Sequence, residues 1–198
     1  MIPTPAFEAY FVLALDTGAR PGEILALKWD DLDTDAGTIA IRRTLPRLKK
    51  GEALRFEDPK TEKSRRTLPI DPTTLRSLAA HRLRSAEERL AAGLGAIRPG
   101  DLIFTSATGG PVDQRNITNR HFKTAVTRAK ISGSVRLYDL RHTMATALLM
   151  RGVPINAVSA RLGHASAAMT LDVYGHVLPE TAPVVASAIS DAFFGAEA

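Results

Sequence analysis

The sequence predicts an α+β fold, mainly α-helical, with a small antiparallel β-sheet near the N-terminal third. Two observations predict it. Apolar residues recur at helical spacing over residues 5–29 and over most of the chain after residue 72. Strand-like runs are confined to residues 38–70, where Gly51 and the Pro59–Ser64 segment break them into short pieces. Size fits one domain: 198 residues with a hydrophobic share of 44% can bury a real core and do not read as disordered.

Each element has its own signal. Residues 5–17 (PAFEAYFVLALDT) form an apolar helix that stops at Gly18, and Pro21 opens a second (PGEILALKW) at proline's favoured first-turn position. An acidic turn follows Trp29, from Asp30 to Gly37. The strands are TIAIRRTL (38–45), ALRFE (53–57) and RRTLPI (65–70). Asp71-Pro72 starts a long helix over 72–92, which runs into the linker GLGAIRPGD. LIFT (102–105) is brief, and TGGPVD turns into a helix over 114–130. Asp139 is positioned to cap a helix that places Leu140, Met144, Ala147 and Leu148 on one face and ends at Gly152. Pro154 starts a helix ending at Leu162-Gly163, and Ser166 begins one that reaches Tyr174. The tail from Thr181 carries Val185, Ile189, Ala192 and Phe193 on one stripe.

Composition excludes several chemistries. Zero cysteines rule out a disulfide framework, a thiolate zinc site and a cysteine nucleophile. The five histidines show no metal-binding spacing, and P-loop, GxGxxG and GxSxG motifs are absent. Asp31–Gly37 imitates the start of an EF-hand loop, but its glycine falls at the seventh place and Arg42 at the twelfth, so it reads as a turn. No apolar run approaches the ~20 residues that span a bilayer. The start, MIPTPAFEAYF, lacks a basic n-region and a small-residue cleavage site, so a cytoplasmic protein is expected.

The net charge of +5 says less than its distribution. Residues 42–66 hold ten Lys/Arg against four acids, and residues 114–138 hold six with no acid. A stretch without acids suits a face that meets phosphates, and a basic but idle face is the alternative.

Four polar residues stand where helices alone do not call for them. Arg20 sits at a helix start, where the dipole disfavours a cation. Arg141 lies at the head of an apolar helix, three residues after Tyr138. His164 follows Leu162-Gly163, and Tyr174 precedes Gly175. Singly, each has an ordinary reading as a pair, a cap or a packing residue. Glu23 and Asp139 are available as partners for the arginines. Together, two arginines, a histidine and a tyrosine are an inventory for handling a phosphodiester without metal. Guanidinium forks grip non-bridging oxygens, imidazole adds a donor, and a phenol can serve as nucleophile.

These residues lie in four blocks: TGARPGEILALKWDDL (17–32), PKTEKSRRTLPI (59–70), LYDLRHTMAT (137–146) and LGHASAAMTLDVYGH (162–176). In this order and spacing the chain resembles the catalytic domain of the tyrosine recombinases, the phage-integrase-type site-specific recombinases. The resemblance implies that Arg20 and Arg141 clamp the scissile phosphate, Glu23 supports them from behind, His164 adds a donor and Tyr174 is the nucleophile. It implies that Lys60, with Lys63 as second candidate, is the general acid. The usual motif is His-x-x-Arg, whereas this chain has Tyr138 at that place. A phenol there can still hydrogen-bond the phosphate but is a poor base at neutral pH. By the same pattern His142 points away from the phosphate and is structural.

The implied activity is cleavage and rejoining of double-stranded DNA through a 3′-phosphotyrosine, needing no metal or nucleotide cofactor, within a homotetrameric synapse near the nucleoid. Arg42, Arg43, Lys63, Arg65, Arg115, Arg120, Lys123 and Arg128 are the expected DNA-binding cations. The resemblance further implies a helical core-binding domain ahead of the catalytic one, so residues 1–198 read as a single catalytic domain, excised from a longer protein or else naturally truncated, with a tail helix over 181–198. That tail, with Phe193 and Phe194, is expected to dock on a neighbouring protomer or on its own domain. Two other classes share the features: a non-catalytic DNA-binding protein and a type IB topoisomerase-like relaxing enzyme.

Overall fold

A computed structural model describes residues 7–46, 55–58 and 64–177, with positions 187, 189, 190 and 192 of the tail. Its elements run α1 (Glu8–Thr17), α2 (Pro21–Leu25), a 3₁₀ turn (Trp29–Asp31), β1 (Leu32–Asp33), β2 (Thr38–Ile41), β3 (Arg66–Pro69), α3 (Pro72–Ala91), α4 (Gln114–Asn116), a π-helical segment (Ile117–Phe122), α5 (Lys123–Arg128), α6 (Asp139–Met150), α7 (Ile155–Leu162) and α8 (Ala167–Tyr174). A 3₁₀ turn over Gly175–Val177 follows. The α+β expectation, mainly helical with one small sheet, is met.

The sheet is a three-stranded antiparallel ladder in the order β1-β2-β3, with Ile39 opposite both Leu32 and Leu68. It differs from the expectation in one strand. The edge strand is Leu32–Asp33, folded out of the acidic turn; of the strand expected over 53–57, residues 53 and 54 lie outside the described residues and Glu57 makes an isolated bridge to Thr44. The turn supplies the reason. The Asp33 carboxylate accepts the backbone N–H groups of Asp35 and Ala36, and Gly37 takes a left-handed φ of 63°, so the chain reverses straight into β2. The imitation EF-hand is explained too, because Asp31 is buried and paired with Arg43 at 2.6 Å.

Most core side chains form one cluster. Tyr10 and Leu13 of α1, Ile24 and Leu25 of α2, Ile39 and Ile41 of β2, Leu78 of α3, and Ile103, Phe104 and Ile117 meet there. A second, smaller cluster gathers Met144, Ala145, Leu149, Val158, Leu162 and Tyr174 from α6, α7 and α8. Helix α6 buries Arg141, Met144, Ala145 and Leu149; of the expected face only Met144 is fully buried, while Leu140 and Leu148 pack partly buried against the two clusters. The helix is therefore rotated from its purely apolar reading, and the rotation carries an arginine inward. Asp139 also departs from expectation. It is the first residue of α6, Tyr138 is the N-cap, and the Asp139 carboxylate holds the Arg136 backbone N–H at 2.9 Å.

Asp16 near the end of α1 ties distant segments together. Its carboxylate accepts the Asp71 N–H at 2.8 Å, the Thr74 hydroxyl at 2.7 Å and the Arg161 guanidinium at 2.8 Å. The starts of α3 and the end of α7 are thus pinned to α1. We expect Asp16→Ala to lower the unfolding free energy by about 2 kcal/mol, because partners shielded from water lose their acceptor. Urea unfolding against the parent protein measures this.

Candidate active site

Two glycine-terminated helices build the centre of the site. Helix α1 ends at Gly18 and α7 at Gly163, both left-handed with φ of 60° and 65°. The turns aim two carbonyls at one point. There the Arg141 guanidinium donates to the Gly18 carbonyl at 2.6 Å and to the Leu162 carbonyl at 2.9 Å. Helix C-termini carry partial negative charge, so two of them can receive a cation. Arg141 is only 2% exposed, and burial together with the charge of Arg20 pulls its pKa down to about 10. Asp139 does not pair with it.

Beside it, Glu23 in the first turn of α2 accepts the Arg20 backbone N–H at 2.9 Å and the Arg20 guanidinium at 2.8 Å. Its other contact is Arg66 of β3, at 2.9 Å. Burial raises the pKa of this carboxyl, but the Arg66 and Arg20 charges and hydrogen bonds outweigh it, and the net shift is downward. Arg66 also donates to the Arg161 and Ser64 carbonyls at 2.8 and 2.9 Å. A Cβ at Gly163 would lie 2.8 Å from the Arg66 guanidinium, so the glycine serves both the left-handed cap and this close approach.

His164 follows that cap. Its Nδ1 lies 2.7 Å from the Thr170 hydroxyl, which fixes the ring and leaves Nε2 for a ligand. Burial and then the Arg141, Arg20 and Arg66 charges depress its pKa to about 4. Tyr174, the last residue of α8, is 3% exposed. Burial raises its pKa and Arg141 works in the opposite direction, so the phenol lies within electrostatic reach of the guanidinium.

The sequence-predicted set thus divides. Arg20, Glu23, Arg141, His164 and Tyr174 converge. Tyr138 stands at the head of α6, 40% exposed and within electrostatic reach of Arg141 and Tyr174. Lys60 and Lys63 lie outside the described residues, as do Phe193 and Phe194. Of the expected DNA-binding cations, Arg43 is spent in the fold, donating to both Asp31 carboxylate oxygens and to the Ala26 carbonyl. Arg65 is exposed and paired with Asp58 at 2.6 Å, and Arg42 lies 3.6 Å from Asp31 with most of its side chain in solvent. Arg115, Arg120, Lys123 and Arg128 are exposed along α4–α5.

Two residues escaped the sequence reading. Arg66 was counted only as part of a basic stretch, although period-two alternation puts it on the same side as the buried Leu68. His142, read as turned away, places Nδ1 2.8 Å from the Tyr174 hydroxyl. Among the described residues no group of three or more His, Asp or Glu side chains could hold a metal ion.

The fold and these side chains define a class of mainly helical domain in which two arginines, a histidine and a tyrosine gather about a buried carboxylate. The sequence pattern of the phage integrase family matches residues 6–181, and the chain belongs to that family, the tyrosine recombinases. It is 34% identical over 197 residues to a XerC-like tyrosine recombinase of Caldanaerobacter subterraneus subsp. tengcongensis, covering 94% of this chain and 49% of that protein. It is 36% identical over 172 residues to an integrase of Streptomyces ambofaciens, covering 85% and 44%. The chain spans about half the length of the curated relatives it matches. In fold it resembles the Tn1549 transposon integrase solved with transposon right end DNA, with a TM-score of 0.72, 23% identity and coverage of 93% and 59%. It also resembles the XerA recombinase, with a TM-score of 0.63, 23% identity and coverage of 95% and 56%.

The His164 shift fixes a pH dependence. Between about 4 in the folded state and the ordinary 6.5, the unfolded chain binds a proton that the folded one refuses. Stability contributed by this group is complete above pH 6.5 and is lost as pH falls toward 4. Side-chain NMR of DNA-free protein is expected to show His164 titrating near 4, and His164→Asn to flatten this part of the stability profile.

Proposed function

We propose that this chain is the catalytic domain of a site-specific DNA recombinase that cleaves and rejoins double-stranded DNA through a 3′-phosphotyrosine. The observation that carries the reading is the charge imbalance of the pocket: the Arg20, Arg66 and Arg141 guanidiniums face one carboxylate, Glu23, with Tyr174 alongside. Three cations against one anion leave room for a phosphate diester.

In this reading Arg20, Arg141 and His164 hold the non-bridging oxygens of the scissile phosphate. The Tyr174 oxygen attacks phosphorus, the new O–P bond forms and the bond to the 5′-oxygen breaks. Lys60 hands that oxygen a proton. A 5′-hydroxyl of the partner strand then attacks the phosphotyrosine and releases Tyr174. Arg42, Arg65, Arg115, Arg120, Lys123 and Arg128 meet the DNA backbone, and strand exchange proceeds in a homotetramer in the cytoplasm. Among the described residues no helix is long and apolar enough to cross a membrane.

The test is covalent capture. Incubated with host genomic DNA and then denatured, the protein is expected to retain DNA in a denaturant-resistant adduct whose sequence identifies the site. Tyr174→Phe abolishes the adduct while gel-shift binding persists, and Arg141→Lys slows its formation by about 10²–10³-fold, as loss of a preorganised donor does. An adduct formed by the phenylalanine variant, or none by the parent, overturns the reading. Relaxation of supercoiled DNA without paired sites would reassign the chemistry to a topoisomerase.

A further inference from the structure

Tyr138 occupies the place where the family pattern puts a histidine, and its phenol is ill suited to accept a proton at neutral pH. The next turn of the same helix carries an imidazole. Tyr138 and His142 are spaced i, i+4, so they stack on one side of α6, with ring centroids 5.2 Å apart in an edge arrangement. The His142 ring lies 5.5 Å from the Tyr174 ring, and its Nδ1 is 2.8 Å from the Tyr174 oxygen. No other side chain has a hydrogen bond to that oxygen among the described residues.

We propose that His142 is a catalytic residue, the general base that takes the phenolic proton of Tyr174 as its oxygen attacks phosphorus. This rests on the recombinase reading above and names the proton acceptor in its first step. The balance is simple. The Tyr174 O–H bond breaks and its proton passes to His142 Nδ1, while the O–P bond forms and the 5′-oxygen departs with a proton from the general acid. When the 5′-hydroxyl of the incoming strand attacks, it gives its proton to the general acid deprotonated in the first step, its oxygen bonds to phosphorus, and the proton on Nδ1 returns to the departing Tyr174 oxygen. The imidazole ends neutral, ready for the next cycle.

The surroundings suit this role. The groups meeting the His142 ring are Tyr138 at the head of α6 and Tyr174 from α8, and Asp139 next along α6 interacts with its charge. Arg141 is turned the other way, into the Gly18 and Leu162 carbonyls. Helices α1 and α7, which pack on α6, contribute Asp16 and Arg161, already paired with each other. The turn over Gly175–Val177 also packs on α6 and brings His176, which is exposed. The Asp139 carboxylate is itself paired with the Arg136 guanidinium at 3.2 Å.

The experiment is single-turnover adduct formation on a nicked duplex carrying the captured site, followed from pH 5 to 8. The parent rate should rise with pH across this range, as a step that needs an unprotonated base does. His142→Asn keeps a hydrogen-bonding group close to the Nδ1 position but cannot accept a proton there. It should cut the rate by about 10²-fold or more and remove that rise, with gel-shift affinity for the same duplex unchanged. A purely structural role would alter affinity or melting temperature but leave the shape of the pH profile. An unchanged or faster rate in His142→Asn, with the rise retained, overturns the assignment and marks the contact as a resting-state latch. Histidine-ring ¹⁵N NMR of the DNA-free protein adds a readout independent of cleavage: Tyr174→Phe, which removes the 2.8 Å contact, should move the His142 Nδ1 resonance, and no movement also overturns the assignment. Failure of the parent to form any adduct would instead fell the recombinase reading, and this assignment with it.

Discussion

The domain is organised around a buried cation. Arg141 is enclosed between the carboxyl ends of α1 and α7, and its two bonds go to backbone carbonyls, not to a carboxylate. Removing a guanidinium from water is costly unless its donors are satisfied. The fold satisfies them with helix ends, which requires that two helices stop at one place and turn away sharply. Gly18 and Gly163, both left-handed, do that. The rotation of α6, the meeting of the two core clusters and the position of His164 all follow from where this side chain must end.

Around that cation the pocket is built to remain positive. Glu23 balances Arg20 and Arg66 without reaching Arg141 by a hydrogen bond. The low pKa of His164 has burial as its first cause and the Arg141, Arg20 and Arg66 charges as its second, and both disfavour a further proton there. A phosphate diester held there, as proposed above, would meet donors already fixed by the fold, the preorganisation expected where charge must be held during a reaction.

How much of this was legible in the sequence depended on whether a residue's role was local. Helix starts at Pro21, Asp71-Pro72 and Ser166, and stops at Gly18 and Gly163, depend on neighbouring backbone, and they were read correctly. The edge strand Leu32–Asp33 was missed because two residues carry no alternation, and its existence depends on the turn that pairs it with β2. The face of α6 was misread because apolar periodicity places arginine outside by default, and only the carbonyls of two distant helices justify burying it. His142 was misread for a related reason. Its contact joins α6 to α8 across 32 residues, and nothing in the local pattern encodes that distance.

Tyr174 belongs to the small cluster with Met144, Leu149, Val158 and Leu162. A reactive phenol on a loose tail would meet any passing electrophile, whereas this one is part of the packing that holds α6, α7 and α8 together. Its availability is then a population: the fraction of time that the cluster opens scales every rate measured at the oxygen. For the nucleophile proposed above, a methyl group removed from Val158 or Leu162 thereby becomes a change in how often the phenol is in play.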